Sequence, residues 1–212
     1  FAADTKAPDK ICAWRPYILS VGQLRWRKGY HFSIEAFSRI ASRFPDLHYV
    51  IVGKQYKEDY YKRLRNLIAE RDLGSRVHIV EDAHSREELV TWYRNAELFC
   101  LFSQNVGHDV EGFGLVFLEA AAAGIPVVGP KNCGVDDAVR DGENGILVET
   151  RSPDYFARAI TAILSDPGRK KAMNSSSLAF ARTMTWDVQF ARYARIWRDV
   201  IHAPENHGFT RG

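Results

Sequence analysis

Two carboxylates eight positions apart, Glu111 and Glu119, bracket the string Gly112-Phe113-Gly114-Leu115-Val116-Phe117-Leu118. The apolar run continues through Ala120–Ala123 and stops at Gly124, and Ile125-Pro126-Val127-Val128 follows. This pattern predicts a glycine loop opening a helix, a helix end at Gly124 and a buried strand over Ile125–Val128. Eight residues of helix turn through about 800°, roughly 80° past two full turns. With Glu111 just ahead of the helix, it hangs over the N-terminus while Glu119 projects from the second turn. A helix N-terminus offers unpaired N–H groups and positive dipole character, a seat for phosphate. Glycines let a ligand approach the backbone closely. Each carboxylate can accept two hydroxyl hydrogen bonds, and charged acceptors make the stronger ones. Such a site suits a diphosphate flanked by hydroxyl-rich sugars. A lone pair of glutamates at this spacing would be read as a helix cap and a surface residue. The Gly-Phe-Gly and the Ala-Ala-Ala-Gly-Ile-Pro-Val-Val that follow are what favour the site.

A second chemical cluster follows the apolar run Tyr17–Val21. It reads Gly22-Gln23-Leu24-Arg25-Trp26-Arg27-Lys28-Gly29. Charged loop residues ahead of a helix are often simply solvated, and this is the plain alternative for Arg25 and Arg27. Lys28 is the better ligand candidate because Gly29 follows it.

These residues need a scaffold. Strand-like runs are predicted at Tyr17–Val21, Leu47–Val52, Val77–Val80, Leu98–Phe102, Ile125–Val128 and Ile146–Val148. Helical patterns run between them, through Ile34, Phe37 and Ile40 to Phe44, over Tyr60–Asp72, and after Ser85, whose capping box closes at Glu88. Strands apolar throughout and alternating with helices indicate an α/β fold, a doubly wound, Rossmann-like parallel sheet. Pro153 opens a helix to Leu164, a second begins at Arg169, and a third spans Trp186–Ile201. Residues 1–16 read as a linker from something upstream, 17–185 as the Rossmann-like domain, 186–203 as a C-terminal helix and 204–212 as a loose tail. In such sheets ligands bind beyond the carboxyl ends of the strands. The loops after Val21, Val52, Val80, Phe102 and Val128 should therefore hold the site.

The chain of 212 residues is 46% hydrophobic, which supports a sizeable core. Its net charge of +3 makes no case for nucleic acid. Cys12, Cys100 and Cys133 are widely spaced and suggest neither a disulfide framework nor a zinc site, so a reducing, cytoplasmic setting fits. No apolar run has the length of a membrane span, and no signal peptide is visible. His108 and Asp109 lack partners at metal-ligand spacing and read as loop residues, and His84 as the polar end of a helix entry. Trp186, Phe190, Tyr193 and Trp197 read as packing residues.

Three strings carry a resemblance. V-G-Q-L-R-W-R-K-G resembles the strand-to-helix phosphate loop of the group 1 nucleotide-sugar glycosyltransferases, retaining enzymes of the GT-B fold. E-G-F-G-L-V-F-L-E-A-A-A-A-G-I-P-V-V resembles their E-x7-E donor signature, and C-G-V-D-D-A-V-R-D-G-E-N-G-I-L-V their next loop and strand. Order and spacing agree from about Tyr17 to Val148, which is the C-terminal, donor-binding half of such an enzyme. The resemblance implies that Lys28 binds the donor diphosphate and Glu119 the ribose hydroxyls, with Glu111 facing the transferred sugar. Gly22 and Gln23 would line the phosphate loop, and the amides of Phe113, Gly114 and Leu115 would meet sugar or phosphate. The loop from Val80 to Ala83 would touch the base. The family's arginine after the first glycine is Gln23 here; Arg25 is the expected replacement, with Arg27 the alternative. Cys133 stands where a glycine is common, Gly53-Lys54 lacks a further glycine, and the loop Gln104–Val110 is longer than in many members.

The implied reaction is transfer of a sugar from a UDP- or GDP-type donor, with no metal and no cofactor, the nucleotide sugar being a substrate. The implied partners are that donor and an absent N-terminal acceptor-binding half, through which any peripheral membrane association would come. This fragment alone is expected to be inactive. The alternatives are a GT-B epimerase or sugar phosphorylase, or a non-catalytic nucleotide-binding domain serving a partner chain. A dinucleotide oxidoreductase is disfavoured because no G-x-G-x-x-G follows the first strand.

Overall fold

Short runs of Val, Ile, Leu, Tyr and Phe that are buried on both faces can only be central strands of a covered sheet. The computed structural model describes residues 9–83, 85–149 and 152–201. In it the strands are β1 (Tyr17–Val21), β2 (His48–Val52), β3 (Val77–Val80), β4 (Leu98–Cys100), β5 (Val127–Pro130) and β6 (Gly145–Val148). They form one parallel sheet in the order β3-β2-β1-β4-β5-β6. The helices are α1 (Asp9–Ala13), α2 (Tyr30–Ile40), α3 (Glu58–Glu70), α4 (Arg86–Arg94), α5 (Leu115–Ala122), α6 (Pro153–Leu164), α7 (Pro167–Thr183) and α8 (Trp186–Ile201). The expected doubly wound α/β architecture is present. Strand order reverses between β1 and β4, so the chains leaving these two neighbours diverge and open a crevice at their carboxyl ends. Both chemical clusters lie in the loops that flank it.

The centre of the sheet is dry and well joined. Ser20 in β1 lies between the Tyr49 hydroxyl at 2.7 Å and the Cys100 carbonyl. Burial pushes the Cys100 thiol up to about 12, so it serves as a small packing group. α2 packs on α3 and α6, and α5 on α7.

Several elements differ from expectation. β5 starts at Val127 rather than Ile125, because Ile125 still belongs to the end of α5. Its N–H turns back to the Ala120 carbonyl, while Gly124 takes the left-handed φ of 77° that closes such a helix. β4 stops at Cys100 rather than Phe102, and the Phe102 carbonyl then lies against Gly29, where a Cβ would meet it at 2.1 Å. The stretch expected to be linker carries α1, whose Ile11 is fully buried. Lys10 pairs with Asp82 at 2.9 Å and Glu88 at 3.3 Å, and Trp14 stacks on His78 at 3.9 Å. Ser85 does cap α4 by accepting the Glu88 N–H, but the Glu88 carboxylate goes to Lys10. α8 buries none of its residues, and Trp186, Phe190, Tyr193 and Trp197 project from one exposed side. His84 and the tail after residue 201 lie outside the described residues. No described helix is long and apolar enough to cross a membrane.

Two histidines tie stability to pH. Burial, with Arg63 adding to it, pushes His31 down to about 4; burial and the neighbouring His48 do the same to His78. The unfolded chain, whose histidines titrate near 6.5, therefore takes up protons first as pH falls. The stability these neutral imidazoles contribute is complete above about pH 6.5 and is lost towards pH 4. Thermal melts should give a constant Tm from pH 8 to 6.5 and a falling one from 6.5 to 5. His78→Phe should flatten that fall.

Candidate active site

The loop leaving β1 is held by its glycines. Gly22 has φ 142°, donates its N–H to the Val52 carbonyl at 2.9 Å and accepts the Tyr30 hydroxyl at 2.6 Å. Arg25 is extended, Trp26–Lys28 forms a single 3₁₀ turn, and Gly29 in the left-handed region (φ 65°) starts α2. This tight reversal decides where the cations point. Arg25, ahead of the turn, swings outward. Its Nε donates to the Gln23 side-chain oxygen at 2.7 Å, and its guanidinium lies 3.9 Å from the Tyr56 ring centre. Arg27 and Lys28, within the turn, face inward.

They meet Glu111, which is only 8% exposed. Arg27 Nη1 lies 2.6 Å from Glu111 Oε2, and Lys28 Nζ lies 2.8 Å and 3.1 Å from its two oxygens. The backbone of Glu111 is fixed from both sides. Its N–H donates to Asn105 Oδ1 at 2.8 Å, and its carbonyl accepts from the Gly134 N–H at 3.2 Å. A Cβ at position 134 would sit 1.6 Å from the Gly112 carbonyl oxygen, so glycine is required there. Two cations on one carboxylate leave a net positive, largely desolvated cluster, in which electrostatic attraction for an anion is stronger than in water.

Beside the cluster, Gly114 (φ 74°) turns the chain into α5 without a side-chain cap. The Phe117 N–H goes to the Gly114 carbonyl at 2.9 Å, and the N–H groups of Leu115 and Val116 precede that first helical bond. Leu115 at that end is 65% exposed, Phe113 is packed against the core, and Gly112 is open. Glu119, half-buried one turn further on, accepts the Tyr93 hydroxyl at 2.8 Å. Burial and Glu119 itself raise the Tyr93 phenol well above its usual range, so it stays a donor. Tyr93 is a buried residue of α4, and nothing in its sequence spacing points to Glu119. Val80 is buried, and its carbonyl accepts the Gly53 N–H at 2.9 Å. The loop beyond it starts at Glu81, whose carboxylate accepts the Gln55 N–H at 3.2 Å.

The structure thus brings Lys28, Glu111 and the start of α5 together, with Glu119 held by Tyr93. It separates Arg25 from them and supplies Arg27 instead, because a side chain before the 3₁₀ turn leaves on the other side from one within it. Val106 and Asp109 bond to each other through their backbones, making a turn of the segment that holds His108. Among the described residues, no three His, Cys, Asp or Glu side chains group as metal ligands would.

Residues 6–178 match the family Glycosyl transferases group 1. The chain is 32% identical over 186 residues to the GDP-mannose-dependent alpha-(1-6)-phosphatidylinositol monomannoside mannosyltransferase of Mycolicibacterium smegmatis, covering 86% of this chain and 47% of that protein. It is also 32% identical over 192 residues to D-inositol 3-phosphate glycosyltransferase of Corynebacterium glutamicum, covering 88% and 44%. The chain therefore spans under half the length of these relatives. Among solved structures, the C-terminal domain of a group 1 glycosyl transferase from Francisella tularensis superimposes with a TM-score of 0.72 at 25% identity, covering 84% of this chain and 93% of that one. With six parallel strands, the reversal between β1 and β4 and the family match over most of its length, the chain belongs to the group 1 glycosyltransferases and is the C-terminal domain of a GT-B fold.

Proposed function

We propose that this chain is the donor-binding half of a retaining glycosyltransferase that takes a nucleotide diphosphate sugar of the GDP or UDP type. The observation that carries the reading is the Arg27–Lys28–Glu111 cluster beside the N-terminus of α5, which has no side-chain cap. A diphosphate arriving there replaces the carboxylate as the partner of both cations. Glu111, released, turns to the hydroxyls of the sugar. As the glycosidic bond breaks, negative charge develops on the leaving diphosphate, and Lys28, Arg27 and the α5 amides stabilise it where it forms. Glu111 and Glu119 position the donor in this scheme; they are not the acid and nucleophile of a glycoside hydrolase. The donor is a substrate, and the scheme calls on no cofactor.

The GDP-mannose in the name of one relative favours a guanine nucleotide, and the three widely spaced cysteines favour a cytoplasmic setting. The acceptor and the rest of the cleft belong to the half outside this chain, so the chain alone should bind donor without turnover. Rejoining it to its acceptor half, offering GDP- and UDP-sugars and reading the anomeric configuration of the product tests the reading. Donor binding with no transfer by the rejoined protein would favour a non-catalytic binding module, and an inverted product would exclude retention.

Glu119 gives a separate check. Its carboxylate keeps acceptor capacity beyond the Tyr93 hydroxyl, and a ribose beside α5 would use it. Glu119→Ala should weaken GDP or UDP binding by about 1–3 kcal/mol. Tyr93→Phe, which frees Glu119 without removing it, should cost less. Calorimetric titration of both variants reads the difference.

A further inference from the structure

A groove runs between α2 and α3, with a volume of about 1150 Å³, ample for a small molecule. It shares no lining residue with the Arg27–Lys28–Glu111 cluster. Within it Glu35 is already held by Arg71 at 2.7 Å and Arg39 at 3.2 Å, so that part offers a ligand little. The part at Trp26 is different. The Arg63 guanidinium lies 4.9 Å from the Trp26 ring centre. Arg63 and Lys57 line the groove there, exposed and paired with no carboxylate among the described residues, against the single charge of Asp59. His31, in the wall, is only 6% exposed. The Tyr60 hydroxyl accepts backbone N–H groups at the start of α2, that of His31 at 3.4 Å, so its own proton goes to His31 Nδ1 at 2.9 Å. Burial lowers the imidazole to about 4 and keeps it neutral at pH 7. Nε2 therefore carries the ring proton, and it has no acceptor among the described residues. A buried donor left alone costs free energy and calls for a partner. The rings of Trp26 and Phe32 flank the imidazole, 4.4 Å and 4.2 Å away between centres. Phe32 is packed against Phe102 at 5.1 Å, whereas Trp26 is 44% exposed. Trp26 is thus the ring that can move to let an acceptor reach Nε2–H. It is also the first residue of the 3₁₀ turn whose other two residues, Arg27 and Lys28, hold Glu111.

We propose that the Trp26 end of this groove is a second ligand site, for a flat aromatic or heteroaromatic ring carrying a carboxylate or phosphate, and that its occupant acts on the donor site through the turn Trp26–Lys28. The ring stacks on Trp26, an acceptor atom takes the His31 Nε2–H, and the anion meets Arg63 and Lys57. Displacing Trp26 shifts a turn of only three residues, so Arg27 and Lys28 move with it and leave the place where a diphosphate would meet them. The two sites then oppose each other, and the opposition is reciprocal. This coupling rests on the donor-binding reading above; the ligand chemistry of the groove does not.

The test uses the whole 15N-labelled chain, the Trp26 indole N–H resonance, assigned by its loss in Trp26→Leu, and the main-chain amides of Arg27 and Lys28. The probes are indole-3-acetate, AMP in the presence of saturating GDP, and, as controls, neutral indole and inorganic phosphate. Indole-3-acetate or AMP should move all three resonances, and each control should bind more weakly than the probe that combines ring and anion. Binding by AMP marks a phosphate-bearing heterocycle as the occupant; binding by indole-3-acetate alone marks an aromatic carboxylate. Trp26→Leu and His31→Phe should each weaken the bound probe about fivefold, and Arg63→Gln about threefold. Arg63→Gln changes an exposed side chain and carries the comparison if His31→Phe does not fold; it should leave GDP binding unchanged. Saturating indole-3-acetate should weaken GDP binding about fivefold. The site is overturned if neither ring-bearing anion moves the Trp26 resonance, or if the folded variants bind as the parent does, which is the result expected when a water molecule serves Nε2–H. Equal binding of indole and indole-3-acetate overturns the role of the cations, and a GDP affinity that ignores a bound probe overturns the coupling. Failure of the donor reading looks different: neither GDP nor UDP binds, while the indole-3-acetate titration still decides the groove.

Discussion

Glu111→Gln should bind bare GDP or UDP about tenfold more tightly than the parent chain, a gain of about 1.4 kcal/mol. In the free protein the Glu111 carboxylate occupies both Arg27 and Lys28, at 2.6–3.1 Å. A diphosphate must compete with it for the same donors and must also approach a negative charge. The amide keeps the shape and removes both obstacles. The gain should be smaller for the sugar-bearing donor, since the strong charged acceptor for the sugar hydroxyls is lost with the carboxylate. The free variant should be less stable by about 1–3 kcal/mol, because two poorly hydrated cations are left facing each other with no counter-charge. Saturating nucleotide should restore most of that loss. In the rejoined two-domain enzyme, transfer should fall by about 10²–10³-fold, as when a group that stabilises or aligns the transition state is removed. Calorimetry with both ligands, thermal melts with and without nucleotide, and a transfer assay read all five effects. Weaker binding of bare nucleotide by Glu111→Gln would show that the carboxylate does not compete for the cations.

Much of this was legible in the chain, and the exceptions share a cause. β1, β3 and α6 have the bounds that hydrophobic pattern and Pro153 predict, since a short apolar run or a proline at a first turn is local information. The left-handed Gly114 at the start of α5 and Gly124 after its end were marked by glycine itself. What escaped depends on contacts between distant residues. α1 is too short to form on its own propensity, and its Ile11 is buried only because the rest of the domain covers it. Lys28 and Glu111 lie 83 positions apart, and Tyr93 and Glu119 26 apart. Spacing within one loop could name Arg25 and Arg27 as candidates. It could not say that the 3₁₀ turn between them sends one to Tyr56 and the other to Glu111.

The exchange of one arginine for another sets the second expected result. Lys28→Ala should weaken nucleotide diphosphate binding by about 10–100-fold, the range for losing a charge-assisted contact in a largely dry site. Arg27→Ala should cost about tenfold, because its guanidinium can grip two phosphate oxygens but stands one position further out and keeps more solvent around it. Arg25→Ala should change affinity by no more than about twofold, comparable to losing an exposed contact. Its guanidinium is engaged by Gln23 and the Tyr56 ring, not by the cluster. Gln23→Arg then becomes informative. An arginine there follows Gly22 directly, and its charge would add to Lys28 and Arg27 on the same phosphates. With Arg27 already in place, the gain should stay within about threefold in the parent background. In the Arg27→Ala background, Gln23→Arg should recover most of the lost tenfold, since one guanidinium would then replace the other. All the titrations belong at one ionic strength and again at a higher one, where a true phosphate cation loses more of its effect than a solvated bystander. Rescue of Arg27→Ala by Gln23→Arg, together with a silent Arg25→Ala, is the expected pattern. A tenfold loss in Arg25→Ala, or no loss in Arg27→Ala, would instead mean that the loop rearranges when the diphosphate binds and that the free geometry does not set the partner.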